Sequence, residues 1–193
     1  NTVIFWNNSG RFTRQDLNDQ VYAHGACYDD IDRDGDLDML VAGGGGYLNQ
    51  GNRTFTIRTN ILPNKFFSTC SVAHNQNGTI SILLANDNQI PGVASEILTL
   101  DSLLNIVSQA GISLPNANAV DLINSRAMDV NNDGHTDFIA VFNQLASGMP
   151  GAKQVLLNDG HGNFVAQPAF DTVNNNSYYS HTIFTGGHFT VLF

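Results

Sequence analysis

Short apolar runs and alternating segments recur along this chain, each closed by Asn, Asp or Gly. Leu37, Met39 and Val41 recur at every second position, and Phe138-Ile-Ala-Val-Phe142 runs apolar without a break. Ile80-Ser-Ile-Leu-Leu-Ala85, Ile97-Leu-Thr-Leu100 and Val155-Leu-Leu157 have the same character. Alternation, or a short apolar run bounded by turn formers, predicts β-strands. Asn/Gly pairs between the runs predict tight hairpins.

The strands fall into a repeat. One copy runs Ala23-His-Gly-Ala-Cys-Tyr-Asp-Asp, an acidic loop, Met39-Leu-Val-Ala-Gly, then Tyr47-Leu-Asn-Gln-Gly-Asn-Arg-Thr-Phe55. Another runs Asn124-Ser-Arg-Ala-Met-Asp, its loop, Phe138-Ile-Ala-Val-Phe-Asn, then Val155-Leu-Leu-Asn-Asp-Gly-His-Gly-Asn-Phe164. A degenerate copy lies between them, with Gly78 placed 43 residues after Gly35 and 56 before Gly134. Half-copies flank the three: Val3 to Phe12 matches a second half, and Ser180 to Phe193 a first half. Each unit is expected to form a four-stranded antiparallel sheet, and stacked units of this length predict an all-β fold of β-propeller blades. The expected blades cover about 22–60, 66–110 and 123–171, within a single domain over 1–193. The halves 1–17 and 178–193 complete a fourth blade, made from both chain ends or by a neighbouring chain, because an unpaired edge is a liability.

Composition fits this picture. The 193 residues hold 24 Asn, 18 Gly and two Lys, so turn formers abound and strong helix formers are scarce. With 17 acids against eight basic residues the net charge is -9, and the basic residues are scattered. That excludes a nucleic-acid or anionic-membrane surface, which needs clustered Lys and Arg. No apolar run approaches the roughly 20 residues of a membrane span. A basic segment followed by an apolar one, the pattern of a secretion leader, is not found.

Eight of the acids sit in two windows, Asp30-Ile-Asp-Arg-Asp-Gly-Asp-Leu-Asp38 and Asp129-Val-Asn-Asn-Asp-Gly-His-Thr-Asp137. Both read D-x-[DN]-x-D-G-x-x-D, with oxygen side chains at positions 1, 3, 5 and 9 and Gly at the turn. That pattern wraps a hard cation, and position 7 adds its carbonyl. The first site takes Asp30, Asp32, Asp34 and Asp38 with the carbonyl of Asp36; the second takes Asp129, Asn131, Asp133 and Asp137 with that of His135. A solvated acidic turn is the alternative, but crowded carboxylates repel one another and raise each other's pKa. Two Ca²⁺ ions are expected, since the donors are oxygens on flexible loops and no Cys or His lies at zinc spacing. An EF-hand is excluded, because its position-12 Glu is here Val41 or Ala140 and strands follow both loops. In the degenerate copy the ligand places fall on Ala73, Asn75, Asn77 and Ser81, so no tightly held cation is expected there.

These loops, with the Leu157-Asn-Asp-Gly-His-Gly-Asn-Phe164 hairpin, resemble the FG-GAP or VCBS repeats of integrin α-subunit propellers and of many secreted proteins. The resemblance covers nearly the whole chain in repeat form. It implies an extracellular, secreted or cell-surface glycoprotein that serves adhesion, carbohydrate binding or structural assembly; the chain itself is expected to be no enzyme, on the placement of its histidines. Integrin-like propellers usually close with seven blades, whereas this chain supplies four. It therefore forms a small ring, part of a larger ring, or a filament subunit completed by its neighbours. The resemblance places ligands on the loops Gly43 to Gly46, Asn86 to Ser95, Asn143 to Ala152 and Asp171 to Tyr178. Partners are then a protein or glycan, or further copies of the chain.

Cys27 and Cys70 lie at equivalent points of adjacent units, either as a disulfide or as two buried thiols; a bridge needs Cα atoms about 5.5 Å apart. N-x-[ST] sequons at Asn7, Asn52, Asn77 and Asn175 fall in turns or linkers, open to a glycan. No catalytic partner can be placed beside any of the six histidines, at 24, 74, 135, 161, 181 and 188. Trp6, Tyr178 and Tyr179 are candidates for sugar stacking or for core.

Overall fold

The computed structural model describes residues 2–17, 19, 25–41, 44–63, 67–85, 95–112, 120–144, 152–168, 181–185 and 188–192. Asn175, Tyr178, Tyr179, His24, Gly43, the linker 171–178 and most of the loops 86–95 and 143–152 lie outside these residues. The described residues are all-β. A hairpin of β1 (Val3–Asn8) and β2 (Arg11–Asp16) comes first. Four strands then form one sheet: β3 (Ala26–Asp29), β4 (Asp38–Val41), β5 (Gly45–Asn49) and β6 (Phe55–Arg58). The next sheet holds β7 (Thr69–His74), β8 (Ile80–Ala85), β9 (Glu96–Leu100) and β10 (Ile106–Gly111). A third holds β11 (Val120–Met128), β12 (Asp137–Gln144), β13 (Ala152–Asn158) and β14 (Phe164–Ala166). The last hairpin joins β15 (His181–Thr185) and β16 (His188–Leu192).

Each four-stranded sheet is an antiparallel meander in chain order. The two outer hairpins are separate two-stranded sheets, with no pairing between them among the described residues. No helix in the described residues is long and apolar enough to cross a membrane.

Strand periodicity explains how the sheets stack. On β8, Ile80, Ile82 and Leu84 face one way and join Leu40 and Leu48 of the first sheet and Ile31 of its β3–β4 connection. Leu83 and Ala85 face the other way and join Phe138, Ala140 and Leu156 of the third. A strand covered on both faces reads as a near-continuous apolar run, and 80–85 is buried throughout and apolar except at Ser81. β4 is divided likewise: Leu40 enters the first core, while Met39 and Val41 pack with Tyr47 against Ile4, Leu17 and Phe55. Burial of about 25 cal/mol per Å² of apolar surface is what holds sheet to sheet.

The first strands of the three sheets lie side by side, β7 between β3 and β11. A Cys27–Cys70 disulfide joins β3 to β7, with Cα atoms 5.6 Å apart. The hydroxyls of Ser71 and Ser125, 2.7 Å apart and both buried, join β7 to β11.

Candidate metal centres

The first acidic window forms the β3–β4 connection, which turns through left-handed backbone at Arg33 and Gly35 (φ 63° and 95°). Only glycine adopts that conformation without steric cost. Asp38 opens β4 and is fully buried. Its Oδ2 accepts from the backbone N–H of Ile31 (2.8 Å) and Asp32 (3.3 Å), and its Oδ1 from that of Asn49 (2.8 Å). Asp30 accepts from Gly35 N–H at 3.1 Å, which draws the loop back on itself. One oxygen each of Asp30, Asp32 and Asp38 lie within 4.8 Å of one another. The Oδ1 atoms of Asp30 and Asp32 are buried and have no hydrogen-bond partner. Asp34 and Asp36 stand exposed at the rim, the Asp34 carboxylate accepting from Asp36 N–H at 2.9 Å.

The electrostatics follow from that crowding. Burial raises the pKa of Asp32, and the charges of Asp38, Asp34 and Asp30 raise it further. Burial also raises Asp38, outweighing its backbone N–H bonds. Buried carboxylate oxygens that accept no hydrogen bond, set among like charges, are what a cation would relieve.

The second window repeats the anchor. Asp137 is fully buried and accepts from Val130 N–H (2.9 Å) and Asn158 N–H (2.8 Å); burial raises its pKa. Asp129 accepts from Asp133 N–H (3.2 Å) and Gly134 N–H (2.9 Å). Asp133 accepts from His135 N–H (2.8 Å), as Asp34 does from Asp36, but also from the Asn131 amide (2.8 Å); the amide and the N–H together hold its pKa below the usual value. Asn131 is exposed where Asp32 is half-buried, and the oxygen groups of this loop are partly bonded to each other. The His135 ring lies against Gly160, where a Cβ would come within 2.6 Å of it.

Two residues outside the windows complete both loops. Asn49 and Asn158 are equivalent in the repeat. Each gives its backbone N–H to the buried Asp, and its amide to the carbonyl just before that Asp (Leu37, 3.3 Å; Thr136, 3.0 Å). Each also accepts from a glycine N–H two residues on, at 3.1 Å. The recurrence of Leu-Asn at both hairpins was the visible signal, and turn propensity alone accounts for it equally well.

The middle loop has a different interior. Ala73, at the first ligand place, is buried and offers no oxygen. Asn75 donates to Thr79 Oγ1 and Ser81 Oγ, both at 2.9 Å, so an amide group bridges the places that carboxylates take elsewhere. The exposed Asn77 accepts from Thr79 and donates to His161 O at 3.1 Å. Asn7 and Asn52 are exposed too, Asn7 accepting from Gly10 N–H at 2.8 Å. Trp6 packs against Phe55, ring centroids 6.0 Å apart, with the Arg53 guanidinium over it.

Comparison with protein-family models, curated proteins and solved structures returned no match.

Proposed function

We propose that this chain is an extracellular β-propeller module stiffened by two Ca²⁺ ions, acting without catalysis as a binding, adhesion or assembly unit. The observation that carries the metal reading is the trio Asp30, Asp32 and Asp38, with two buried oxygens that no protein group satisfies. An all-oxygen donor set on a glycine turn suits calcium, and exposed Asp34 and the Asp36 carbonyl supply the remaining ligands. Asn131 and the acids of 129–137 do the same in the second loop. Calcium offsets the mutual repulsion of the carboxylates and fixes the turn, so its binding free energy adds to folding.

Three sequential meanders with their first strands adjacent support a ring of blades, with β1–β2 and β15–β16 as halves of a fourth. A disulfide supports an oxidising compartment. The test is calorimetric titration with Ca²⁺ and thermal unfolding with and without chelator. Two bound ions are expected, and at 100 times the Kd each stabilises by about 2.7 kcal/mol. No binding heat and an unchanged Tm would refute the reading.

Carbohydrate binding is the second reading. A cleft of about 420 Å³ beside the first loop is lined by Phe5, Trp6, Tyr28, Leu37 and Phe55. Phe5 and Tyr28 are 63% and 66% exposed there, as rings that stack on sugars are. A glycan array on wild type and Tyr28→Ala tests it. Self-assembly is read from light scattering: pairing of β1 with β16 of another copy would give polymers, and a compact monomer rules it out.

A further inference from the structure

The two acidic loops are joined by a continuous path of hydrogen bonds that runs through the neutral loop between them. At one end, Arg33 of the first loop donates to Thr79 O at 3.4 Å. His74 Nε2 meets Asp29, the residue before Asp30, at 2.9 Å. Asn75 lies next to His74 and donates to the Thr79 hydroxyl at 2.9 Å. Its carbonyl oxygen accepts from the Asn158 amide at 2.9 Å, across to the third sheet. Asn158 in turn gives its backbone N–H to Asp137, the buried acid of the second loop.

Two more bonds fasten the same junction. Gln76 N–H donates to Gly160 O at 2.8 Å, and the Asn77 amide donates to His161 O at 3.1 Å. Gly162 makes the approach possible, since a Cβ there would lie 3.0 Å from Asn75 Nδ2. Asn75 and Asn158 are both buried, 4% and 3% exposed, so neither has water as a ready substitute partner.

We infer that Asn75 is a positioning residue that couples the two cation loops, so that filling one raises the affinity of the other. This rests on the calcium reading above. The element with two arrangements is the junction of residues 75–79 with 158–162, either docked or parted. A cation in the second loop fixes Asp137, and through it Asn158, which holds the junction docked. The docked middle loop presents Thr79 O to Arg33 and His74 to Asp29, the backbone setting in which the first loop closes. Linkage makes the effect reciprocal: each cation favours the other by the same factor.

Calorimetry with Ca²⁺ on the full chain tests this, with Asp34→Ala and Asp133→Ala to disable one loop at a time. The remaining loop in each variant is expected to bind at least about five-fold more weakly than it does beside a filled partner, by the same factor in both directions. In Asn75→Ala both loops still bind, and that factor falls to near unity. Should Asn75→Ala not fold, Arg33→Ala combined with His74→Gln cuts the path at half-exposed or exposed side chains and has the same expected result. Independent sites in the wild type, or coupling that persists in these variants, would overturn the inference. Absence of any binding heat would instead overturn the calcium reading, so the two failures are distinguishable.

Discussion

Reduction of the Cys27–Cys70 bond is the perturbation whose size the fold sets most directly. The bridge closes a loop with a sequence separation of 43 and joins the first strands of two sheets. In the chain-entropy account a loop of that length lowers the entropy of the unfolded state enough to give about 4 kcal/mol at 25 °C. For a chain of 193 residues a loss of that size lowers Tm by roughly 10 °C. Cys70 is 4% exposed and packs in the core between the sheets, so alanine replacement would add a packing loss. Reduction keeps the side chains and isolates the cross-link. Thermal unfolding followed by circular dichroism, with and without reductant at saturating Ca²⁺, is the assay. A fall of less than about 2 °C, with complete thiol release confirmed chemically, would refute the reasoning.

Three further outcomes follow from named contacts. A Cβ at Gly25 would overlap the Ser68 carbonyl, where the entries to β3 and β7 meet backbone to backbone, so Gly25→Ala should destabilise by about 1–3 kcal/mol in urea titrations. Burial and the hydrogen bond to Asp19 push the Tyr47 phenol up to about 12. Its stabilising effect is present below the ordinary value of 10.0 and is lost as pH rises through the folded value; ultraviolet titration should show a late phenol that is absent in Tyr47→Phe. In metal-free protein the raised pKa values of Asp32, Asp38 and Asp137 give stability that is full below 3.8 and lost as pH climbs through the folded values. Asp16, held low by Arg14, and Asp101, held low by Asn105, act oppositely but equally with or without metal. The gain in Tm from Ca²⁺ should therefore shrink on acidification, and parallel curves would contradict it.

The elements and their grouping were legible because the periodicity is strict. Ile80 to Ala85 announced a strand, and the Asn/Gly hairpins at 49–54 and 158–163 announced the outer halves of sheets. The acids at positions 1, 3 and 9 of the first loop were legible too, since the repeat of oxygen side chains around a glycine has few other uses. Asn49 and Asn158 were not. Each reaches its loop through the strand pairings β4–β5 and β12–β13, so its role depends on register and not on local spacing. The tie from Asn75 to Asn158 was hidden for the same reason, being a contact between sheets. The resemblance of the two loops concealed a difference: Asn131 donates its amide to Asp133 within its own loop, whereas Asp32 at the same place adds a carboxylate to the charges of Asp38, Asp34 and Asp30.

The neutral middle loop has a physical rationale in its position. It lies between two loops that carry eight of the 17 acids; one end bonds Arg33 of the first, and the other bonds Asn158, whose N–H holds Asp137 of the second. A third set of carboxylates there would add repulsion at a site where Asn75 is 4% exposed and screening by solvent is weak. Amide and hydroxyl groups close the same turn without charge, because Asn75 can donate to Ser81 and Thr79 while accepting from Asn158. An ion would satisfy oxygens within one loop only; the amide satisfies partners in two sheets. On the calcium reading two ions bring the net charge from -9 to about -5 and leave that neutral link as the connection between them. Replacing Ser81 by Asp would then draw Asn75 toward the new carboxylate and weaken its bond to Asn158, so the variant should lose stability in the absence of Ca²⁺.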